Sequence, residues 1–186
     1  MRCLRGVVLF VLCATVAVPG AVWADSSGAV LSQVQDSLLA ASSIHLKLMA
    51  CLTRGDLAGA IALYEAEVGE SAPAWLMELQ SAYAVTRQAA GQCQQVARVI
   101  HAAFTKLGQS PHYIAFRAKV ADDEFMVFDL VKGGTAPVSR NSYHVAVRLG
   151  DLVYDAYTGP LGMKLEEYLS RLHAVHGLRW EQVITP

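Results

Sequence analysis

Three residue types that together perform nucleophilic chemistry occur in this sequence at spacings that could bring them together. Cys93 follows Gly91 and Gln92 at the predicted start of a helix, His144 opens a predicted strand, and Asp155 closes the next one. A thiolate is the reactive form of cysteine, and an imidazole beside it can take its proton. A carboxylate on the far ring nitrogen can hold that imidazole in place. The three residues are therefore a candidate catalytic set.

The histidine and the aspartate belong to one predicted hairpin. Two runs rich in β-branched and aromatic residues flank a turn signal at Gly150-Asp151. Because side chains alternate between faces along a strand, the outer ends of a tight hairpin lie side by side. The pattern predicts that the imidazole of His144 reaches the carboxylate of Asp155. Asp129, which ends another predicted strand, is the alternative orienting residue.

The start of a helix is a favourable place for a reactive cysteine. Backbone N–H groups are unpaired there, and the helix dipole favours a negative charge. Both effects stabilise a thiolate at Cys93, and the same N–H groups could receive a developing oxyanion. His101 and His112 flank this helix and are alternatives to the strand histidine as proton acceptor.

The first 24 residues have the pattern of a secretory signal peptide. A basic start at Arg2 and Arg5 precedes an apolar run, and small or aliphatic residues end at Ala24, where cleavage is expected. The apolar run is too short to span a bilayer comfortably, although an uncleaved membrane anchor is the alternative. The sequence therefore predicts a secreted or periplasmic protein that has no membrane association after cleavage.

Cys51 competes with the catalytic interpretation of Cys93. Cleavage of the signal peptide would remove Cys3 and Cys13 and leave these two cysteines. A cysteine pair in an exported protein is often a disulfide, and closing a loop of this length could contribute about 3–4 kcal/mol. With such a disulfide, the protein would be a non-catalytic secreted binding module, and the histidine and aspartate would have structural roles.

Composition and motif content argue against nucleic-acid and metal chemistry. The chain has 15 Lys and Arg and 16 Asp and Glu, and loss of Arg2 and Arg5 would leave a formal charge of −3. The sequence has no Lys/Arg cluster that could neutralise phosphates. It also has no zinc-peptidase signature, and His173 and His176 lack an apparent acidic or cysteine partner. We therefore predict no nucleic-acid partner, no metal and no cofactor.

The predicted elements run as helices, an antiparallel sheet and a last helix, which indicates an α+β protein. Helices are predicted at 29–52, 57–67, 74–89, 93–107 and 164–174. Strands are predicted at 112–118, at 124–131 and in the hairpin, and residues 180–186 are expected to form an edge strand or a tail. After the signal peptide, 1–24, we predict an N-terminal helical region, 25–90, packed as one unit on a catalytic region, 91–186.

Several of these segments together resemble papain-fold cysteine hydrolases, and in particular the bacterial papain-fold toxin and deamidase group. The resemblance covers roughly residues 85–172. It rests on Gly91-Gln92-Cys93, Tyr143-His144-Val145-Ala146-Val147, Leu152-Val153-Tyr154-Asp155, Thr158-Gly159 and the helix that follows Met163. It implies a papain-like fold, with Cys93 as the nucleophile, His144 as general base and acid, and Asp155 as the orienting residue.

The resemblance also carries expectations about the oxyanion and the substrate. A glutamine near the nucleophile is the expected oxyanion donor, and Gln88 and Gln92 are the candidates. The implied reaction is hydrolysis of an amide bond, of the peptidase or the glutamine deamidase type. The implied partner is a protein or peptidoglycan substrate, with a role as an exported effector as one possibility.

Overall fold

The computed structural model describes most of the chain that follows the predicted signal peptide. It describes residues 43–120 and 125–186, together with residues 35 and 41. Among these residues, helices and two antiparallel sheets are both present, so the α+β prediction is confirmed. None of the described helices is both long enough and apolar enough to cross a membrane.

The chain divides into two units, Met1–Ser37 and Leu38–Pro186, and every element named below belongs to the second. The predicted signal peptide, 1–24, lies outside the described residues. The predicted division between a helical region, 25–90, and a catalytic region, 91–186, stays a prediction.

Helices occupy the first half of the described chain and return once near its end. They are α1 (43–52), α2 (Leu57–Val68), α3 (Ala74–Ala82), α4 (Cys93–Lys106) and α5 (Leu165–Arg171). A short 3₁₀ turn at Val85–Arg87 separates α3 from α4. The predicted helix at 74–89 is therefore too long, because the β-branched residues Val85 and Thr86 have low helix propensity.

Eight strands in the described part form two antiparallel sheets. They are β1 (His112–Ala118), β2 (Met126–Asp129), β3 (Thr135–Ser139), β4 (Tyr143–Leu149), β5 (Leu152–Tyr154), β6 (Met163–Lys164), β7 (Leu172–His173) and β8 (Leu178–Val183). The larger sheet has the order β6-β5-β4-β1-β8, and the smaller one has the order β3-β2-β7. The predicted hairpin is β4 and β5, and the final segment forms an edge strand.

In the second half of the chain, the structure differs from the sequence prediction in two segments. No strand is predicted at 132–142, because Gly133, Gly134 and Pro137 are typical of a loop, but β3 forms there. Pro137 is tolerated because β3 is an edge strand, where a missing N–H donor disrupts less pairing. The last helix, predicted at 164–174, ends at Arg171, and β7 follows it and pairs with β2.

The helix α4 has clear reasons to begin and end where it does. Gly91, with φ 90°, turns the chain just before it. A buried apolar stripe that includes Val96, Ile100 and Phe104 continues to the end of the helix. Gly108, with φ 74°, then stops it, and the next N–H returns to the carbonyl of Phe104. This helix packs on β4, which brings its first residue near the start of that strand.

Successive side chains of β4 point to opposite faces of the sheet and pack in two different hydrophobic clusters, as expected for a strand. Val145 and Val147 pack in a cluster with α1 to α4, whereas Ala146 packs in a second cluster with β2, β3 and α5. His144 lies on the same side of the strand as Ala146 and is fully buried. A histidine is thus held between the two layers at the point where the hairpin opens.

Candidate active site

Cys93 is the first residue of α4 and is only partly buried. Gln92 precedes it at the N-cap position without a side-chain hydrogen bond to the helix, so the first backbone N–H groups are not capped by that side chain. The backbones of Gln94 and Val145 form hydrogen bonds with the thiol and favour its charged form. The sulfur therefore sits where the helix start and β4 both present hydrogen-bond donors.

The imidazole of His144 is anchored through one ring nitrogen. Its Nε2 lies 3.1 Å from Oδ2 of Asp155 and 2.9 Å from the hydroxyl of Tyr168. The structure therefore brings together the histidine and the aspartate that the hairpin pattern pairs. The contact is almost fully shielded from solvent, since both side chains are at most 2% exposed.

The carboxylate of Asp155 is surrounded by donors on both oxygens. Oδ1 accepts from the backbone N–H groups of Tyr157, at 2.8 Å, and Thr158, at 2.9 Å. Oδ2 accepts from the Tyr168 hydroxyl at 2.6 Å and also faces His144. Burial alone raises the pKa of Asp155, but the hydrogen bonds and the charge of His144 outweigh it, so the pKa is lowered. Asp155 is thus held as an anion.

Tyr168 is the member of the site that sequence reasoning missed. The sequence places it only on the inward face of the last helix, among Leu165, Leu169 and Leu172. In the structure it is completely buried, and its hydroxyl joins the histidine and the aspartate. The available signal was its residue type, because a buried tyrosine hydroxyl usually finds a polar partner.

The second ring nitrogen of His144, Nδ1, is assigned to the nucleophile by elimination. Nδ1 is buried and forms no well-aligned hydrogen bond with any of the described residues. The side chains of His144 and Cys93 nevertheless interact closely enough to change each other's pKa. Hydrogen bonds between catalytic groups are often long or poorly aligned before substrate binds. Because Nε2 is occupied, Nδ1 is the atom left to accept the Cys93 proton.

The electrostatics of the pair favour a thiolate beside an imidazolium. Burial alone raises the pKa of Cys93, but the hydrogen bond and charge of His144 outweigh it and lower that pKa. Burial alone lowers the pKa of His144, but its hydrogen bonds to Asp155 and Cys93, and their charges, raise it to about 9. Both shifts are in the direction that places the proton on the ring and the negative charge on the sulfur.

The two candidate oxyanion glutamines both precede Cys93 in the sequence, and each forms a side-chain hydrogen bond. Gln88 donates a hydrogen bond from Nε2 to the carbonyl of Ala156 at 2.9 Å, which ties the 3₁₀ turn to the end of β5. Its amide has a second N–H to offer a substrate. Gln92 instead accepts from Arg87 at 3.2 Å through its amide oxygen. Of the two, Gln88 is placed beside the loop that holds the orienting carboxylate.

The structure assigns the alternative residues to other contacts. Asp129 pairs with His173 at 2.9 Å on the surface, away from His144. His101 stacks on Tyr113, with ring centroids 4.3 Å apart, at the far end of α4. His112 opens β1 opposite Arg148, whereas His144 lies opposite Phe116. The described residues contain no cluster of three metal-ligating side chains.

The two cysteines of the alternative disulfide are both free thiols in this structure. Cys51 is buried near the end of α1, and its sulfur accepts from Arg54 at 3.6 Å. Cys93 interacts with His144 instead. The Cys51–Cys93 pairing stays a prediction that thiol chemistry can test.

A large cleft lies beside the site. It has a volume of about 680 Å³, and its lining includes Tyr83, Gln88, Tyr157 and Leu161. The ring of Tyr157 also contacts that of His144 edge-on, with centroids 6.4 Å apart. Tyr157 therefore both lines the cleft and contacts the buried histidine.

Comparison of the chain with protein-family models, with curated proteins and with solved structures found no match.

Replacing Tyr168 with phenylalanine should destabilise the protein by about 1.5–3 kcal/mol, because it removes a hydrogen bond to a buried charged group. The ring contacts with Phe116 and Phe128 would be kept. Urea unfolding measures the change. Tyr154→Phe is the matched control, because Tyr154 is also buried but its hydroxyl has no hydrogen-bond partner in the described part. Equal destabilisation by both changes would contradict a special role for the Tyr168 hydroxyl.

Proposed function

We propose that this protein is a papain-like cysteine hydrolase that cleaves an amide bond, with Cys93 as nucleophile, His144 as general base and acid, and Asp155 as orienting residue. One observation carries the proposal. His144 is fully buried with Nε2 held by Asp155 and Tyr168, and its remaining nitrogen is left for the thiol of Cys93. A histidine with one ring nitrogen anchored by a carboxylate and the other facing a thiol is the arrangement that nucleophilic catalysis by cysteine requires.

The reaction that this arrangement favours has two halves. In the first, the Cys93 thiolate attacks the carbonyl carbon of the amide, and backbone N–H groups at the start of α4 stabilise the oxyanion. The C–N bond then breaks, and the amine leaves with the proton that the His144 imidazolium donates. A thioester remains on Cys93.

In the second half, water replaces the amine. His144, now neutral, takes a proton from water, and the resulting hydroxide attacks the thioester carbonyl. The C–S bond breaks, the acid is released, and the thiolate and imidazolium are restored. Asp155 keeps the ring in one orientation throughout, because its four donors leave it no tendency to take the proton.

The cleft beside Tyr157 supports a polymeric or side-chain amide as substrate. Its volume of about 680 Å³ is sufficient for several atoms on one side of the scissile bond. A protein or a peptidoglycan peptide is the proposed partner, cleaved by peptidase or glutamine deamidase chemistry. Together with the predicted signal peptide, this chemistry suggests an exported enzyme that is secreted or acts in the periplasm. A secreted enzyme of this kind could serve as an effector.

Thiol labelling tests the proposal without knowledge of the substrate. Iodoacetamide should alkylate Cys93 of the unreduced protein at pH 7 at least about tenfold faster than Cys51, because only Cys93 combines exposure with a stabilised thiolate. Peptide mapping by mass spectrometry gives both rates. If neither cysteine reacts until a reductant is added, the alternative of a stapled binding module is correct.

The pH dependence of that labelling adds a sharper criterion. The rate should rise as the thiolate forms at a pH below about 8.5, the pKa of an ordinary cysteine, because His144 lowers the pKa of Cys93. A second change is expected as pH rises through about 9, where His144 loses its proton and the ion pair becomes a lone thiolate. One rise near the ordinary cysteine pKa would contradict the pairing.

A further inference from the structure

One row of side chains crosses three strands of the larger sheet close to the nucleophile. The register places Tyr143 of β4 opposite Arg117 of β1, and Arg117 opposite Arg179 of β8. Directly opposite residues point to the same face of a sheet. The Arg117 guanidinium lies over the Tyr143 ring, 4.6 Å from its centroid. The row therefore consists of one aromatic ring on β4 followed by two cations, the second of which lies on the edge strand β8.

The placement of Arg117 opposite Arg179 becomes more favourable when negative groups lie nearby. Two like charges directly opposite each other in adjacent strands destabilise a sheet. Lys119 lines the same pocket, and the one ion pair that this group makes within the described residues joins Arg117 to Glu181, at 3.4 Å. Among the residues that the structure describes, three positive charges of this group thus face one negative charge, in a chain whose overall charge is −1.

These cations line a pocket of about 340 Å³ rather than a flat surface. Its other wall includes Asn141, which precedes His144 by three residues and supplies an amide donor. Tyr143 links the pocket to the site, because its ring contacts Arg117 and packs against the same apolar cluster as Cys93. Burial raises the pKa of Tyr143, Arg117 lowers it and Cys93 raises it, so the phenol lies near both of these residues. The pocket therefore lies on the Tyr143 side of the nucleophile, and it shares no lining residue with the cleft lined by Tyr157.

We propose that this pocket, formed by Arg117, Lys119 and Arg179, binds a carboxylate of the substrate that lies next to the scissile amide. The inference rests on the proposed function and narrows it to amides that carry an acidic group near the bond that is cleaved. Guanidinium groups bind carboxylates in a bidentate manner, and the Asn141 amide can add a neutral donor. The apolar cleft would then hold the uncharged side of the substrate.

Two alkylating probes that differ in one charge test this pocket. Iodoacetyl-glycine ends in a carboxylate, and iodoacetyl-glycinamide ends in an amide of the same size. In Arg179→Gln and in Lys119→Gln, the rate of Cys93 alkylation by the anionic probe should fall about two- to fivefold, the effect of one exposed ion pair. Alkylation by the neutral probe should stay within about twofold, which also verifies that the variants are folded.

The control removes a charge elsewhere. Lys106 is exposed at the end of α4, about 20 Å along the helix from Cys93, so Lys106→Gln should leave both rates unchanged. Because the charges are exposed, 0.5 M NaCl should reduce the difference between the probes in the unaltered protein. Each of these rates is read at Cys93 by mass spectrometry.

The outcomes separate the two proposals. Equal rates for both probes in Arg179→Gln and the unaltered protein, with Cys93 still reactive, would overturn the carboxylate pocket and leave the hydrolase proposal standing. A Cys93 that reacts with neither probe would overturn the hydrolase proposal itself. A loss confined to the anionic probe in both pocket variants, and absent from Lys106→Gln, supports the pocket.

Discussion

Replacing Cys93 with alanine should abolish amide hydrolysis, with a loss of at least about 10⁴-fold in kcat. The change removes only the sulfur, and alanine is the best helix former for a position at the start of α4. Stability should therefore change by about 1 kcal/mol or less. Cys93→Ser should be nearly as inactive, because a hydroxyl has no comparable tendency to form an anion beside His144.

Two product assays make this measurement and distinguish the reaction types. Release of ammonia from a glutamine-containing protein indicates deamidation, whereas new amino termini from a protein or from peptidoglycan peptides indicate cleavage of the backbone. Cys51→Ala is the matched control, since it makes the same substitution at the other free cysteine. Hydrolysis that persists in Cys93→Ala, or that is lost equally in Cys51→Ala, would contradict the assignment of the nucleophile.

Replacing Asp155 with asparagine should lower the rate of Cys93 alkylation at pH 6 by at least about tenfold, because an ordinary thiol is almost entirely protonated there. The asparagine oxygen would keep the hydrogen bonds from the N–H groups of Tyr157 and Thr158. Its NH₂ group would face the Tyr168 hydroxyl and Nε2 of His144, which both donate hydrogen bonds to Asp155 in the unaltered protein. To accept a hydrogen bond from this NH₂ group, Nε2 must give up its proton. The neutral ring then carries its proton on Nδ1, toward the thiol. That tautomer cannot take the proton of Cys93.

The same variant should also unfold more easily, by about 3–5 kcal/mol, because it breaks a buried charged pair. Asp129→Asn is the matched control. Asp129 also contacts a histidine, His173, at 2.9 Å, but both side chains are nearly half exposed, so loss of that pair should change little. Urea unfolding and the alkylation rate at pH 6 are measured on both variants. A normal alkylation rate in Asp155→Asn would show that the carboxylate does not control the tautomer.

The parts of the site that follow local rules could be predicted from the sequence. The hairpin follows from strand periodicity and from Gly150, whose φ of 60° is the positive value that such a tight loop uses. The contact between His144 and Asp155 follows from the hairpin, because the strands fix which ends meet. The start of α4 at Cys93 follows from the apolar stripe and the glycine before it.

The parts that depend on how distant segments pack could not be predicted. The hydroxyl of Tyr168 reaches Asp155 because α5 lies against the second core with Phe116 and Phe128, and no local pattern specifies that approach. The bond from Gln88 to the carbonyl of Ala156 likewise spans 68 residues. Strand β3 was missed because its proline is acceptable only at a sheet edge, a fact of the assembled sheet.

The hydrogen bonds of the site close loops of very different length, and this gives the site an order of assembly. His144 and Asp155 are 11 residues apart, and Tyr168 follows Asp155 by 13. Cys93 lies 51 residues before His144. Closing the longer loop costs about 1.4 kcal/mol more chain entropy than closing the 11-residue loop. The histidine, aspartate and tyrosine can therefore assemble as a local unit, and the nucleophile joins them when α4 docks on β4. A reactive thiol at Cys93 consequently marks a chain that has folded completely.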